Sequence, residues 1–136
     1  MRVLGSNLNG WPEYTSSFHQ QDIVLKAELA NNVDRPESTL DALMQAIVCK
    51  ARLGWRPDSR KIVVIATDQG FHSALDGKLV GVLTPNDGDC HLDAEGWYTR
   101  AKVLDYPSVS HIGKVAKENA ITILFLVGSK RQRSNR

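Results

Sequence analysis

Lys61-Ile62-Val63-Val64-Ile65-Ala66-Thr67-Asp68 is the stretch on which the fold turns. An unbroken, β-branched run such as Ile62 to Ala66 suits a parallel strand covered on both faces. Upstream of it, Leu40, Leu43, Met44, Ile47 and Val48 recur at three- and four-residue spacing. That stripe predicts a helix with one buried face, capped by Ser38 or Thr39 and stopped at Gly54. Trp55 is expected to pack under the stop, and Pro57-Asp58-Ser59 to turn. Downstream, Asp68-Gln69-Gly70-Phe71-His72 reads as a loop and Leu79 to Leu83 as a short apolar stretch. Pro85-Asn86-Asp87-Gly88-Asp89 is a strong turn signal. Pro107-Ser108 opens a second helix reaching about Asn119, with Val109, Ile112, Val115 and Ala116 on one side. Ile121 to Val127 follows as a second buried strand. Helix, strand, long loop, helix, strand is an α/β order, with a parallel sheet and right-handed crossovers.

The chain before this unit divides in two. Residues 1–15, with Gly5, Gly10 and Pro12, read as irregular. Ser16 or Ser17 is placed to cap a helix to about Ala30, with Phe18, Ile23, Val24 and Leu25 apolar. Asn31-Asn32 ends that helix, and Pro36 bars its continuation.

Ligands of open α/β sheets bind beyond the carboxyl ends of the strands. Asp68 lies at such an end. The stretch Asn32-Val33-Asp34-Arg35-Pro36-Glu37 precedes the helix that leads into the same strand. A helix antiparallel to its following strand starts at the edge where that strand ends, so Glu37 and Asp68 are expected at one rim. Three readings of Asn32, Asp34, Glu37 and Asp68 stand side by side. Carboxylate, amide and carbonyl oxygens suit a hard cation such as Mg2+ or Ca2+. Paired carboxylates with His72 nearby suit general acid–base work. Ordinary loop chemistry also uses them, through turn caps and helix N-termini.

Composition narrows the classes. The 136 residues make one domain or part of one, with 42% hydrophobic and 24% charged residues, as in an ordinary globular chain. The formal charge is +2, but Lys130, Arg131, Arg133 and Arg136 are confined to the last seven residues. Thirteen of the 17 bases and all 15 acids lie in residues 1–129, a net of −2. A weakly acidic body with a short basic tail argues against nucleic-acid binding. No apolar run approaches the ~20 residues of a membrane span, and Met1 to Asn7 lacks the apolar core of a signal peptide. Cys49 and Cys90 are too few and too far apart for a zinc site. His19, His72, His91 and His111 show no ligand spacing, and no phosphate loop or nucleophile elbow is present.

Several motifs in one order carry a resemblance. Asn32-x-Asp34-x-Pro36-Glu37 is followed by Asp41-Ala42-x-Met44-Gln45-x-x-Val48-Cys49 and Gly54-Trp55-Arg56. Then come Thr67-Asp68, Asp76-Gly77-Lys78-Leu79, Pro85-Asn86-Asp87-Gly88-x-Cys90-His91 and Asp105-Tyr106-Pro107-Ser108. The set resembles the I-like (von Willebrand factor A type) domain of integrin β subunits, from about Ser17 to Val127. The resemblance implies a Rossmann-type parallel sheet flanked by helices. It implies an adhesion receptor at the cell surface rather than an enzyme, pairing with an integrin α subunit. Its ligand is an extracellular-matrix or cell-surface protein whose carboxylate it binds through Ca2+ or Mg2+. By position, Asn32, Asp34, the Pro36 carbonyl and Glu37 resemble the ligands of a Ca2+ site. Glu37 also matches the glutamate of the metal-ion-dependent adhesion site, and Asp68 the aspartate joining that site to its neighbour. Cys49 and Cys90 match a family disulfide, contributing roughly 4 kcal/mol in the chain-entropy model.

The chain also departs from the family pattern. The Asp-x-Ser-x-Ser motif, the acidic pair after it and the specificity-determining loop are absent, and Ser38-Thr39 stands where Gly-Gly is usual. The expectation is a partial domain over residues 16–128 with a basic tail at 129–136, arising as a fragment, a truncated product or an incomplete gene model. Divalent binding is expected to be weak, with the Mg2+ site incomplete, and membrane attachment to rest on parts outside this chain. The alternatives are a stand-alone cation-binding interaction module and a metal-dependent hydrolase using Asp34, Glu37, Asp68 and His72.

Overall fold

The computed structural model describes residues 34–128. The expected Ser16–Ala30 helix, Asn32 and the basic tail lie outside the described residues. Helix α1 spans Thr39–Val48, and its apolar stripe buries Leu40, Leu43, Met44 and Ile47 almost completely. Ser38 stands at the N-cap position, but its side chain makes no cap hydrogen bond. A short helix α2, Lys50–Leu53, follows after Cys49. One helix from Ser38 to Gly54 was the expectation, and the observed break falls at the disulfide residue. Periodicity registers the apolar stripe but not a cross-link to residue 90. Gly54 adopts the left-handed conformation (φ 68°), and its N–H donates to the Lys50 carbonyl. A non-glycine residue rarely takes that φ, so glycine makes the stop cheap. The Trp55 indole N–H donates to the Ala46 carbonyl at 2.7 Å, which fastens the turn to α1.

Strands β1 (Lys61–Thr67) and β2 (Ile121–Val127) pair in parallel, from Lys61 opposite Ile121 to Thr67 opposite Val127. Helix α3, Val109–Glu118, precedes β2. Here Ser108 does cap the helix: its Oγ accepts the His111 N–H at 3.1 Å. α1 and α3 lie on one side of the sheet. Their buried residues form a core with Ile121, against which Val63, Ile65 and Ile123 pack. Each fully buried aliphatic side chain there contributes roughly 1.5–3 kcal/mol.

Coverage of both strand faces was expected and is not what the described residues show. Burial alternates along β1, and Ile62 and Val64 remain 42% and 55% exposed. Leu124 and Leu126 of β2 are also exposed. Both helices pack on the same face, and a strand's side chains alternate sides, so every second residue of β1 is left uncovered; in β2, Phe125 and Val127 are exposed as well.

The long crossover from β1 to β2 holds no strand among the described residues. It carries a 3-10 helix, Asp76–Val80, and isolated bridges between Thr84 and Leu104 and between Leu92 and Tyr98. Leu92 and Tyr98 form a second small core around Cys49. Cys49 and Cys90 form a disulfide, with Cα atoms 4.9 Å apart across 41 residues of sequence. Among the described residues no helix is long and apolar enough to cross a membrane.

Candidate functional site

The rim forms where β1 ends. Asp68 directly follows Thr67, and the chain then turns through Gln69 and Gly70. Thr67 fixes this turn: its Oγ1 accepts the Gln69 N–H at 3.1 Å. The segment from Gly70 to His72 runs parallel to the loop entering α1. The Glu37 N–H donates to the Gly70 carbonyl at 2.9 Å, and the His72 N–H to the Glu37 carbonyl at 3.0 Å. This backbone zipper brings loop 34–37 and the loop leaving Asp68 to one edge of the sheet.

Of the residues singled out in the sequence, Asn32 lies outside the described set. Asp34, Glu37 and Asp68 are exposed, and Pro36 is half-buried. Asp34 Oδ2 lies 2.9 Å from His72 Nε2, while His72 Nδ1 faces Asp76 Oδ2 at 3.4 Å. The His72 ring stacks on Tyr106 with centroids 4.8 Å apart. Among the described residues, no three His, Cys, Asp or Glu side chains are grouped closely enough to hold an ion. The oxygen donors fit a hard cation in chemical type. Their arrangement does not close a cage from these residues alone. His72 links the acidic loop to the 3-10 helix, a role that its spacing from Asp34 in the sequence does not reveal.

Two aspartates behind the rim, Asp41 and Asp105, are buried, which the motifs containing them do not reveal. Asp105 accepts three backbone N–H groups, from Leu75 (2.7 Å), Gly77 (2.9 Å) and Tyr106 (2.8 Å). Leu75 sits at φ 87°, a left-handed conformation that costs a branched residue energy, and the Asp105 bond helps hold it there. A Cβ on Gly77 would come within 2.5 Å of Asp105 Oδ1, so this contact requires glycine. Asp41, in the first turn of α1, is buried, and its Oδ1 has no hydrogen-bond partner among the described residues. Burial foremost, then the negative charge of Asp105, pushes its pKa up to about 7, against the opposing influence of His72. No short motif distinguishes such carboxyls from surface ones, because their burial comes from packing between distant segments.

The crossover also presents an apolar ridge. Leu75, Leu79, Val80 and Leu83 are 62–89% exposed on and around the 3-10 helix.

A parallel sheet backed by helices, with acidic loops gathered at the carboxyl end of a strand, is consistent with a partial von Willebrand factor A domain. The chain belongs to the integrin β family: the family's "Integrin beta chain VWA domain" model matches residues 12–135. It is 50% identical over 113 residues to integrin beta-PS of Drosophila melanogaster, covering 83% of this chain and 13% of that protein. It is 46% identical over 107 residues to integrin beta pat-3 of Caenorhabditis elegans, covering 79% of this chain and 13% of that protein. Mouse (Mus musculus) integrin beta-5 is 43% identical over 111 residues, covering 82% of this chain and 14% of that protein. The chain thus spans a small part of the relatives it matches.

Proposed function

We propose that this domain serves a cell-surface adhesion receptor and binds the carboxylate of a protein ligand through a divalent cation at the rim of β1. The zipper between Glu37 and the Gly70–His72 segment supports this reading, because it draws the acidic loop to the end of the strand that carries Asp68. Asn32, Asp34, the Pro36 carbonyl, Glu37 and Asp68 are the residues that would hold the ion. A bound Ca2+ or Mg2+ would supply positive charge to a ligand carboxylate. The chain's own residues orient the donors: Pro36 stiffens the loop, and the zipper sets its distance from Asp68. His72 competes for Asp34, and the described donors form no closed group. Binding is therefore weak, with a Kd of roughly 10⁻⁴–10⁻³ M, as in low-affinity extracellular calcium modules.

Pairing with an α subunit belongs to the same reading. The exposed ridge of Leu75, Leu79, Val80 and Leu83 is the surface we assign to it, since clustered exposed apolar residues mark contact sites. Calorimetric titration of the 136-residue chain with CaCl2 tests the cation reading. Weak heats that disappear in Asp34→Ala and Glu37→Ala are expected. No heat in the unaltered chain would remove the cation from the function, and tight Mg2+ binding would contradict the weakness.

A further inference from the structure

We propose that Gln45 is a positioning residue for the Cys49–Cys90 disulfide, holding the Cys90 segment against α1 whether or not the sulfurs are bonded. Gln45 lies four residues before Cys49 and is 1% exposed, so both face the same side of the helix one turn apart. Its side-chain amide reaches across to the two residues that flank Cys90. Gln45 Nε2 donates to the Asp89 carbonyl at 3.0 Å, and Gln45 Oε1 accepts the His91 N–H at 2.7 Å. That same oxygen lies 3.3 Å from Cys49 Sγ, so one buried amide touches the Cys49 sulfur and the backbone on either side of Cys90.

The bonds made by Gln45 do not involve the Cys90 sulfur. The segment they grip is also braced independently of sulfur. Asn86 Oδ1 accepts the Gly88 N–H, Asp87 Oδ1 accepts the Asp89 N–H, and the Asp87 carboxylate meets His91 Nε2. Beyond Cys90, the Thr99 N–H and Oγ1 both donate to the His91 carbonyl. Breaking the disulfide therefore leaves the Cys90 backbone docked on α1. A buried amide left without its partners carries a desolvation cost, which further favours keeping the segment in place.

The chemical consequence is a raised effective concentration of one thiol for the other. Cys49 is buried and Cys90 exposed, so a thiolate reductant attacks the sulfur of Cys90. The S–S bond breaks, a mixed disulfide forms on Cys90, and Cys49 leaves as a thiolate in a buried position. That thiolate, held near its former partner, attacks the mixed disulfide and expels the reductant. Re-closure needs no search by a free loop, and the bridge resists reduction.

The test is redox titration of the full chain in dithiothreitol buffers, with alkylation and mass measurement of the oxidised fraction. The unaltered chain is compared with Gln45→Leu, which loses both bonds, and Gln45→Glu, which keeps the acceptor and loses the donor. We expect half-reduction of Gln45→Leu at a ratio of reduced to oxidised dithiothreitol about tenfold lower, with Gln45→Glu between the two. In concentrated urea, where the grip is absent, all three are expected to coincide. Identical titrations in native buffer would overturn the proposal, as would a difference that persists in urea. Loss of the fold in oxidised Gln45→Leu would also overturn it, because Gln45 would then be a general determinant of the core.

Discussion

At Asp41 the environment acts on a single carboxyl. Its burial at the start of α1 foremost, then the charge of Asp105, favours the neutral acid, and its pKa rises from 3.8 to about 7. Among the described residues, the charged groups acting on it are Asp105 and His72. A pKa raised in the folded state means that the folded chain binds the proton more tightly than the unfolded one. The contribution is fully present below pH 3.8 and is lost as the pH rises through about 7. Asp41→Asn keeps a neutral side chain of similar shape at every pH. Urea unfolding at pH 8 is expected to show the variant more stable by a few kcal/mol, on the basis of ~1.4 kcal/mol per pKa unit. At pH 4 the two proteins should coincide. Asp76 and Asp87 act in the opposite direction. The Ser73 N–H holds Asp76 low; for Asp87, burial opposes the shift, but the Asp89 N–H and His91 outweigh it. Both are substantially exposed, so their stabilisation, lost as pH falls through their lowered pKa values, is small.

At the scale of elements, the two faces of the sheet make different demands. α1 and α3 cover the side bearing Val63, Ile65 and Ile123, whereas Ile62 and Val64 point away. Met44→Ala removes a fully buried side chain from the helix that packs on this side. It is expected to cost about 2–5 kcal/mol in chemical denaturation. Val64→Ser on the open face is expected to stay within about 0.5 kcal/mol, the range of surface substitutions. A large loss from Val64→Ser would show that the open face is covered in solution. The apolar run Ile62 to Ala66 marks a strand correctly, yet it is equally apolar on both faces. The side on which the helices lie is not written in it.

For the whole molecule, the long crossover depends on ties to the rest of the fold. Asp105 organises the 3-10 helix, Gln45 and the disulfide dock the turn at residue 90, and the Glu37 zipper closes the rim. Most of the crossover is irregular, so the order of the loop depends on these links together with the Thr84–Leu104 and Leu92–Tyr98 bridges. Replacing both cysteines, Cys49→Ser with Cys90→Ser, is expected to lower unfolding stability by about 4 kcal/mol, the loop-entropy contribution of a closure of this length. A loss near zero would mean that the other ties already restrict the unfolded chain or that the bridge is strained.

The sequence by itself determined β1, β2, the two main helices and the order that makes the sheet parallel, because apolar spacing and turn chemistry are local signals. Its ordered motifs also pointed to the integrin β family. Cys49 interrupting the first helix, the 3-10 helix at residues 76–80 and the exposed strand face were decided only by tertiary structure. The same holds for His72 between Asp34 and Asp76, and for the burial of Asp41 and Asp105. Each of these depends on which distant segment arrives beside a residue, and the covalent order of the chain does not carry that information. At the rim, the residue types were legible in Asp34, Pro36, Glu37 and Asp68. Their backbone placement was set by two hydrogen bonds across more than thirty residues, from Glu37 to Gly70 and from His72 back to Glu37.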